Sequence, residues 1–379
     1  MNLRACAAFA WSGLVRGDRA RFLVSGAGAT VAIFALLLHV AFLRAVEHKA
    51  TQVYALFEAP VVLVSDRFQF LYRMADFPVA RLRQALSHPG VATSAAVRVE
   101  NSGWTTSDTH TESSLLLLGV DFDADFIADA ELRAALPALQ ISRRILLDRR
   151  SDPSFGEVRA GLTCSIGTQL ATVAGVYALG LPMYAAGTAI VANTDFSLYT
   201  GDNPRRAQLG LLRLKPGADA AAVVADLRKQ LPDDVRVMTR AELMQRETAF
   251  FLEVKPLGIM MRSGLLIGLM VGAVALFQVM SSQIELRMRD FAVLRAMGFE
   301  AAFTYAVCAC QLVLMGAAAF AIAWALAVPV FRGIAQASHL SMPLDGTLLG
   351  VSLLLCVPMM VSAALPLARA SRADPASLF

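Results

Sequence analysis

Residues 22–43 read FLVSGAGATVAIFALLLHVAFL, an apolar run without a charged side chain. A helix of about 20 apolar residues crosses the hydrocarbon core of a bilayer. Three more runs of this kind come late in the chain, at about 257–280, 306–331 and 346–367. Roughly 210 residues of soluble-looking sequence, 44–256, separate the first run from the second. The sequence therefore predicts an integral membrane protein with four transmembrane α-helices, arranged one plus three, and a large α+β domain inserted after the first.

The composition supports this arrangement. Hydrophobic residues make up 56% of the chain and charged residues only 17%, whereas soluble domains carry about 25% charged residues. The first run is too long for a cleaved signal peptide, whose apolar region has about 7–15 residues. Arg44 and Glu47 also stand where a cleavage site would need small neutral residues. We therefore expect a retained anchor and, overall, a multi-pass protein of the bacterial inner membrane.

Arginines near the ends of the apolar runs predict the orientation, because cytoplasmic loops are enriched in Lys and Arg. Four precede the first run, three follow the second, two follow the fourth, and one lies in the loop 332–345; they are Arg4, Arg16, Arg19, Arg21, Arg287, Arg289, Arg295, Arg369, Arg372 and Arg332. Both termini and the loop 281–305 should then be cytoplasmic, and the inserted domain periplasmic. Residues 1–21 suggest an interfacial helix or an extension of the first span, and residues 368–379 a cytoplasmic tail.

The inserted domain contains an internal repeat. Each half shows a strand, a helix ended by a proline-containing break, and a second strand that begins with valine. The predicted elements are 61–64, 79–87 and 91–99 in the first half, and 209–214, 218–231 and 235–239 in the second. We expect a membrane-proximal α+β subdomain from about 45–111 and 207–250, with a distal, mainly β subdomain at about 112–206. Cys164 is the only cysteine in this domain, so a hydrophobic core must hold it together.

No motif in the sequence predicts an enzyme. The chain lacks a G-x-x-x-x-G-K-[ST] phosphate loop, an H-E-x-x-H zinc motif and a G-x-S-x-G nucleophile motif. Its five histidines are dispersed, so we expect no metal and no cofactor in this chain. The net charge of +4 follows from the cytoplasmic arginines and requires no nucleic acid; membrane lipid is the expected surrounding. The spans contain no carboxylate, which argues against an ion-driven transporter.

Three glycines in the second span are spaced four residues apart: Gly264, Gly268 and Gly272. On a helix they lie on one face, where the missing side chains let another helix approach closely. This pattern predicts a tight seam, either within the helical bundle or between two copies of the chain.

The loop after the second span, residues 281–300, reads SSQIELRMRDFAVLRAMGFE. Apolar and charged residues alternate in it with a helical period, and Gly298 is suited to end a helix. A short amphipathic helix is therefore expected. Its apolar face needs lipid, the spans of its own chain or a cytoplasmic protein to cover it, and the interleaved Arg and Asp residues favour a groove on a protein.

The segment 289–298, RDFAVLRAMG, resembles the REIGVLRALG signature found between the second and third spans of permeases of the MacB/FtsX/LolC superfamily, the type VII ABC systems. The chain end 372–379, RADPASLF, resembles their terminal ADPAxxF. Four short features resemble the DevC branch. They lie at 10–11, 88–91 and 255–258 and at Gln278. Asp290 stands where the signature usually has Glu, and it is the shorter acid.

The resemblance implies a permease without enzymatic activity of its own, working as a homodimer with two separate ATPase subunits that bind ATP and Mg²⁺. ATP-driven closure would be passed through the spans to the periplasmic domains, which is called mechanotransmission. The coupling residues would be Arg287, Arg289, Asp290, Phe291, Leu294, Arg295 and Gly298. DevC-like relatives imply export through a periplasmic adaptor protein and a TolC-like outer-membrane channel. An FtsX-like transducer that controls a periplasmic hydrolase, and lipoprotein extraction as in LolC and LolE, remain the alternatives.

Overall fold

A computed structural model describes residues 19–106, 112–121, 126–254, 256–338, 340 and 342–366. Contacts divide the chain into two compact units. One is a helical unit, Met1–Ala45 with Leu257–Phe379, and the other is an inserted domain, Val46–Pro256. The predicted tail at 368–379 and nearly all of the predicted N-terminal interfacial helix lie outside the described residues.

The helices are numbered in chain order within the described residues. They are α1 Arg19–Thr51, α2 Ala80–Ala85, α3 Ala130–Ala135, α4 Asn193–Thr200, α5 Ala220–Gln230, α6 Arg240–Ala249, α7 Pro256–Leu286, α8 Met288–Ala296, α9 Ala301–Ser338 and α10 Gly346–Ala364. A π-helical turn, Phe250–Val254, follows α6. The strands are β1 Val61–Ser65, β2 Phe77–Pro78, β3 Val91–Thr106, β4 Ser113–Val120, β5 Arg144–Asp148, β6 Thr163–Ile166, β7 Gln169–Tyr177, β8 Gly187–Ala192, β9 Arg206–Ala207, β10 Leu209–Leu214 and β11 Val235–Thr239.

Four helices are long and apolar enough to cross a membrane: α1, α7, α9 and α10. They confirm the expected one-plus-three arrangement around the inserted domain. Three of them are longer than the predicted spans, since α1 has 33 residues, α7 has 31 and α9 has 38. The hydropathy of the sequence predicts only the part of each helix that is apolar enough for the bilayer. The helices extend further, into residues that pack against other parts of the chain. In α1, for example, Ala45, Val46 and Ala50 beyond the predicted end are buried.

The two halves of the inserted domain interlock in one antiparallel sheet. All six predicted elements of the repeat are present, as β1-α2-β3 and β10-α5-β11. β10 lies between β1 and β3, and β1 lies between β10 and β11, so each half is a split β-α-β unit that contains a strand of the other. The order β11-β1-β10-β3 is the arrangement of ferredoxin-like sheets. Neither half can complete its sheet alone.

The rest of the sheet closes into a barrel. From β3 the order continues β4-β8-β5-β7-β6, and β6 pairs with the end of β3 through Trp104↔Ile166 and its neighbours. The predicted bounds of the distal subdomain, 112–206, therefore leave out one strand of the barrel. That strand is the second half of β3, at 98–106. This strand was predicted to end at Val99, but it runs 16 residues to Thr106 because its first half pairs with β10 and its second with β4 and β6.

Three apolar cores hold the inserted domain together. One face of the ferredoxin-like sheet packs on α2 and α5, where Leu63 and Val237 meet Leu82 and Leu227. The other face shares a core with Leu243 of α6 and with the loop that follows α1. The barrel is filled by the third core, in which Trp104 stacks on Phe155 with ring centroids 4.8 Å apart. Cys164 is buried in this core as a free thiol.

The helical unit has its own core, formed by α1, α7, α8, α9 and α10. An ion pair joins Arg44, near the end of α1, to Asp345 at the start of α10. The Nη1 and Nη2 atoms of Arg44 both donate to the carboxylate of Asp345, Nη2 at 2.8 Å. The same carboxylate accepts from the backbone N–H of Leu348 at 2.8 Å and so caps α10. Together these bonds hold the pKa of Asp345 well below its usual range, with the Arg44 bond contributing most.

Candidate functional site

The helix after the second span is anchored to the helical unit by one face. α7 ends at Leu286, and α8 follows after a single residue, Arg287. Phe291 of α8 has 1% of its surface exposed and lies in the same core as Leu276 and Met280 of α7. Met288 and Leu294 pack against this core from α8. α8 is therefore fixed to the bundle through apolar contacts.

The opposite face of α8 is exposed. Arg289, Val293 and Met297 are four residues apart and form one row along the helix. Val293 is 47% exposed and Met297 70%, and Asp290 beside the row is also exposed. This face offers an apolar strip with a cation and an anion next to it.

The end of α8 requires a glycine. Gly298 has a φ of +92°, and the N–H of Phe299 donates to the carbonyl of Leu294 at 3.1 Å. This bond and the left-handed glycine are the features of a Schellman helix end. Phe299 is also exposed, next to the end of the row. A side chain at Gly298 would strain this turn and change the direction in which Phe299 points.

The predicted coupling residues thus separate into two groups. Arg289 and Asp290 are exposed, and Arg287 is half-buried at the break between α7 and α8. Phe291 lies in the interior, where its ring packs in the core of the bundle, and its role in coupling stays a prediction. Leu294 is half-buried and also faces inward. Arg295 lies within α8, and Gly298 forms the turn that terminates this helix.

The predicted coupling residues do not include the exposed apolar side chains of this surface, which are Val293, Met297 and Phe299. A signal was present in the spacing. Met288, Phe291 and Leu294 follow each other at intervals of three, whereas Arg289, Val293 and Met297 follow at intervals of four. The sequence therefore has one apolar row and one partly apolar row on different faces of the helix. Only the packing shows which row is inside.

The three glycines of the second span do not behave alike. A Cβ at Gly264 would lie 2.5 Å from Nε2 of His39 in α1, and a Cβ at Gly272 would lie 2.1 Å from Cε of Met359 in α10. A Cβ at Gly268 would meet no described atom within 4 Å. Two of the three therefore mark close contacts between helices of the same unit, and the third marks open space.

Within the inserted domain, a segment between β7 and β8 is bonded to the last turn of α1 and to the residue that follows this helix. Lys49 donates to the carbonyl of Leu181, and Nε2 of Gln52 donates to the carbonyl of Leu179. Gly180 between them has a φ of +97°, and a Cβ there would lie 3.0 Å from Nε2 of Gln52. These bonds fasten the end of the first long helix to the barrel half of the domain.

A buried carboxylate lies near the other end of the domain, in α6 shortly before α7. Glu247 has no exposed surface and accepts from the N–H of Leu71 at 2.9 Å and from the hydroxyl of Tyr54 at 3.0 Å. Burial raises the pKa of Glu247 to about 7, although these two hydrogen bonds oppose the shift. The next residues, Phe250 and Phe251, belong to an aromatic cluster in which Phe250 stacks on Phe70 with centroids 4.2 Å apart.

These features define a multi-pass membrane protein with one large inserted domain and an exposed amphipathic helix between its second and third spans. Residues 262–375 match the family model described as the FtsX-like permease C-terminal region. This match, over the C-terminal helical region, confirms the resemblance to the permeases of the MacB/FtsX/LolC superfamily. The DevC branch stays a prediction.

Three solved structures are similar to part of the chain. The periplasmic region of MacB from Actinobacillus actinomycetemcomitans is 8% identical and covers 51% of this chain and 94% of its own, with a TM-score of 0.37. The extracellular domain of the noncanonic ABC-type transporter YknZ from Gram-positive bacteria is 14% identical, covering 47% and 98%, with a TM-score of 0.32. A permease-protein domain from Porphyromonas gingivalis is 14% identical, covering 50% and 97%, also at 0.32. No curated protein is significantly similar to the chain.

Proposed function

We propose that this chain is the permease subunit of an ATP-driven ABC exporter and that the exposed face of α8 binds a separate ATPase subunit. The observation that carries the proposal is the two-sided nature of α8. Phe291 ties it to the core of the bundle, while Arg289, Val293 and Met297 on the other side are exposed. A helix of this kind passes a displacement imposed on its outer face directly to the spans.

Association of the exposed row with a protein is favoured by the free energy of apolar burial. Val293 and Met297 are largely exposed, and complete burial of such a side chain contributes about 1.5–3 kcal/mol. Arg289 and Asp290 at the margin of the strip supply charge complementarity, which selects the partner more than it adds affinity. The sequence has no phosphate-loop motif, so ATP and Mg²⁺ belong on the partner in this proposal.

The proposed orientation places α8 in the cytoplasm, where ATP is available, and the inserted domain in the periplasm. In this arrangement two permease copies and two ATPase subunits form the complex, and closure of the ATPases moves the inserted domains. We propose export through a periplasmic adaptor protein and a TolC-like channel as the outcome of that movement. The large inserted domain, with its closed barrel, supports a role in handling cargo or partners outside the membrane.

The experiment compares variants of the exposed row in the complex with its ATPase subunit, co-expressed and purified in detergent. Met297→Ser combined with Val293→Ser should weaken association at least tenfold, which corresponds to about 1.4 kcal/mol. The matched control is Glu300→Gln, which alters an exposed residue just beyond the helix. Unchanged association of the double variant, or a stable and active permease without any ATPase, would contradict the proposal.

A second measurement separates the proposed outcomes. Reconstituted complexes are supplied with ATP and assayed for cargo export through adaptor and channel, for activation of a cell-wall hydrolase, and for release of a lipoprotein from the membrane. Export that disappears in the Val293/Met297 double variant supports the proposal. Hydrolase activation or lipoprotein release with the same dependence on α8 would keep the coupling role and replace the exporter.

A further inference from the structure

The large sheet of the inserted domain has one free edge among the described strands. At one end β6 pairs back with β3, so the barrel has no open side. At the other end β11, Val235–Thr239, pairs only with β1. A free edge strand presents unpaired backbone groups, and such strands accept an extended segment of another chain as an added strand.

The hydrogen bonds show which backbone groups of β11 point outward. The N–H of Asp66 donates to the carbonyl of Asp234 at 3.1 Å, and the N–H of Arg240 donates to the carbonyl of Pro60 at 3.0 Å. Along an antiparallel strand, residues that exchange hydrogen bonds with the neighbouring strand alternate with residues whose backbone groups point away from it. The even-numbered residues of β11 therefore bond to β1, and its odd-numbered residues direct their N–H and C=O groups away from the sheet.

Three of the outward groups are already bonded. The N–H of Val235 bonds to the preceding turn at 3.4 Å, the carbonyl of Val237 accepts from Nε of Arg228 at 2.8 Å, and the N–H of Thr239 donates to the side chain of Glu242 at 2.9 Å. Within the described part of the chain, the carbonyl of Val235 and the N–H of Val237 bond to nothing. They flank Arg236 on either side.

This pair matches one particular partner geometry. In a parallel pair, one residue of the incoming strand donates to the carbonyl of residue i−1 and accepts from the N–H of residue i+1. With Arg236 as residue i, the two open groups are the carbonyl of Val235 and the N–H of Val237. A single residue of an extended, parallel segment would satisfy both.

A basic cleft of about 240 Å³ runs along this edge. Three arginines and one aspartate line it together with apolar side chains; they are Arg228, Arg236, Arg246 and Asp233, with Leu231, Val237 and Met238. Arg228 already pairs with Glu242 at 2.9 Å. Among the described residues, neither Arg236 nor Arg246 forms an ion pair. Burial lowers the pKa of Arg246, and the nearby charge of Arg236 lowers it further. Two like charges thus lie close together, and no described carboxylate forms an ion pair with either of them.

We propose that β11 and this cleft dock an acidic, extended segment of a partner protein, which adds beside β11 as a parallel strand and sets carboxylates against Arg236 and Arg246. A second copy of this chain is a poor occupant, because pairing of two β11 edges would bring the same arginines together. The proposal does not depend on the ATPase, since the cleft lies wholly within the inserted domain.

The test uses the full-length protein in nanodiscs of neutral lipid and a fluorescent peptide with the sequence Val-Glu-Val-Glu-Val-Glu, blocked at both ends. Fluorescence anisotropy should show saturable binding that weakens as salt is raised, because the partly exposed charges are screened. Arg236→Glu with Arg246→Glu should weaken binding at least tenfold. The matched control is Arg159→Glu, an exposed arginine in the barrel half of the domain, and thermal unfolding checks that both variants are folded.

Two more probes decide the mode of binding. A peptide with the same charges but alternate N-methylated residues cannot form strand hydrogen bonds, so its binding should be at least fivefold weaker. Equal binding of this peptide, or its displacement by inorganic phosphate at the same concentration, would reduce the cleft to a general anion site and overturn the proposal. Absence of peptide binding, or unchanged binding in the double arginine variant, would also overturn it.

Discussion

Replacement of Glu247 by glutamine should make the stability of the protein less dependent on pH. The carboxylate has no exposed surface and is bonded to Leu71 and Tyr54. Burial raises its pKa to about 7, from an ordinary value of 4.5. The folded state therefore keeps the proton over a range of pH in which the unfolded chain has released it.

The sign and size follow from proton linkage. Where the folded state binds more protons than the unfolded state, the free energy of unfolding falls as pH rises. For Glu247 the fall begins near the ordinary pKa and is complete above the raised one. The two pKa values differ by roughly 2.5 units, and one unit corresponds to about 1.36 kcal/mol, so the loss amounts to about 3 kcal/mol between pH 4.5 and 8.

The assay is denaturant unfolding of the full-length protein in nanodiscs from pH 4.5 to 8.5, comparing wild type with Glu247→Gln. Glutamine keeps the shape and an acceptor oxygen but does not ionise, so its advantage over wild type should grow by about 3 kcal/mol across this range. Other titrating groups cancel in the comparison. Glu58→Gln, at an exposed site, is the control and should track the wild type. Parallel pH profiles for wild type and Glu247→Gln would refute the reasoning.

Three further predictions concern positions where geometry constrains the residue. Gly264→Ala should be less stable than Gly268→Ala by about 1–3 kcal/mol, because both gain the same helix propensity but only the first crowds a neighbour; equal stability in micelles would contradict the seam. Gly180→Ala should destabilise the inserted domain by about 1–3 kcal/mol because of its positive φ, and hydrogen exchange of 178–184 should rise; an unchanged exchange pattern would argue against this. Asp345→Asn should unfold at a higher temperature than Asp345→Ala, since the amide keeps the cap on α10 while losing the ion pair; the reverse order would contradict the capping role.

Much of the architecture could be predicted because its signals are local. The four spans follow from runs of apolar residues, and the six elements of the repeat follow from periodicity and from proline-containing breaks. The signature at 289–298 also identified the segment that forms α8. Each of these features is determined by side chains within about 20 residues of one another and by the solvent around them.

The candidate site could be predicted only in part. Phe291 and Met297 both belong to an amphipathic helix, and nothing in their chemistry says which one faces the bundle. The core of the helical unit takes Phe291, since it fits beside Leu276 and Met280, and leaves Met297 outside. The glycine pattern has the same ambiguity: Gly264 and Gly272 are crowded and Gly268 is not, because only the neighbouring helices determine where space is filled.

The sequence by itself determined the membrane spans, the place of the insert, the repeat within it and the family signature. The tertiary structure decided that β1 pairs with β10 and β11, that β3 serves two halves of one sheet, and that β11 is the free edge among the described strands. The physical reason is distance along the chain. A helix or a span is stabilised by contacts a few residues apart, whereas Val61 finds its partners at Leu212 and Thr239. Such pairings depend on the packing of the whole domain, so no local pattern specifies them.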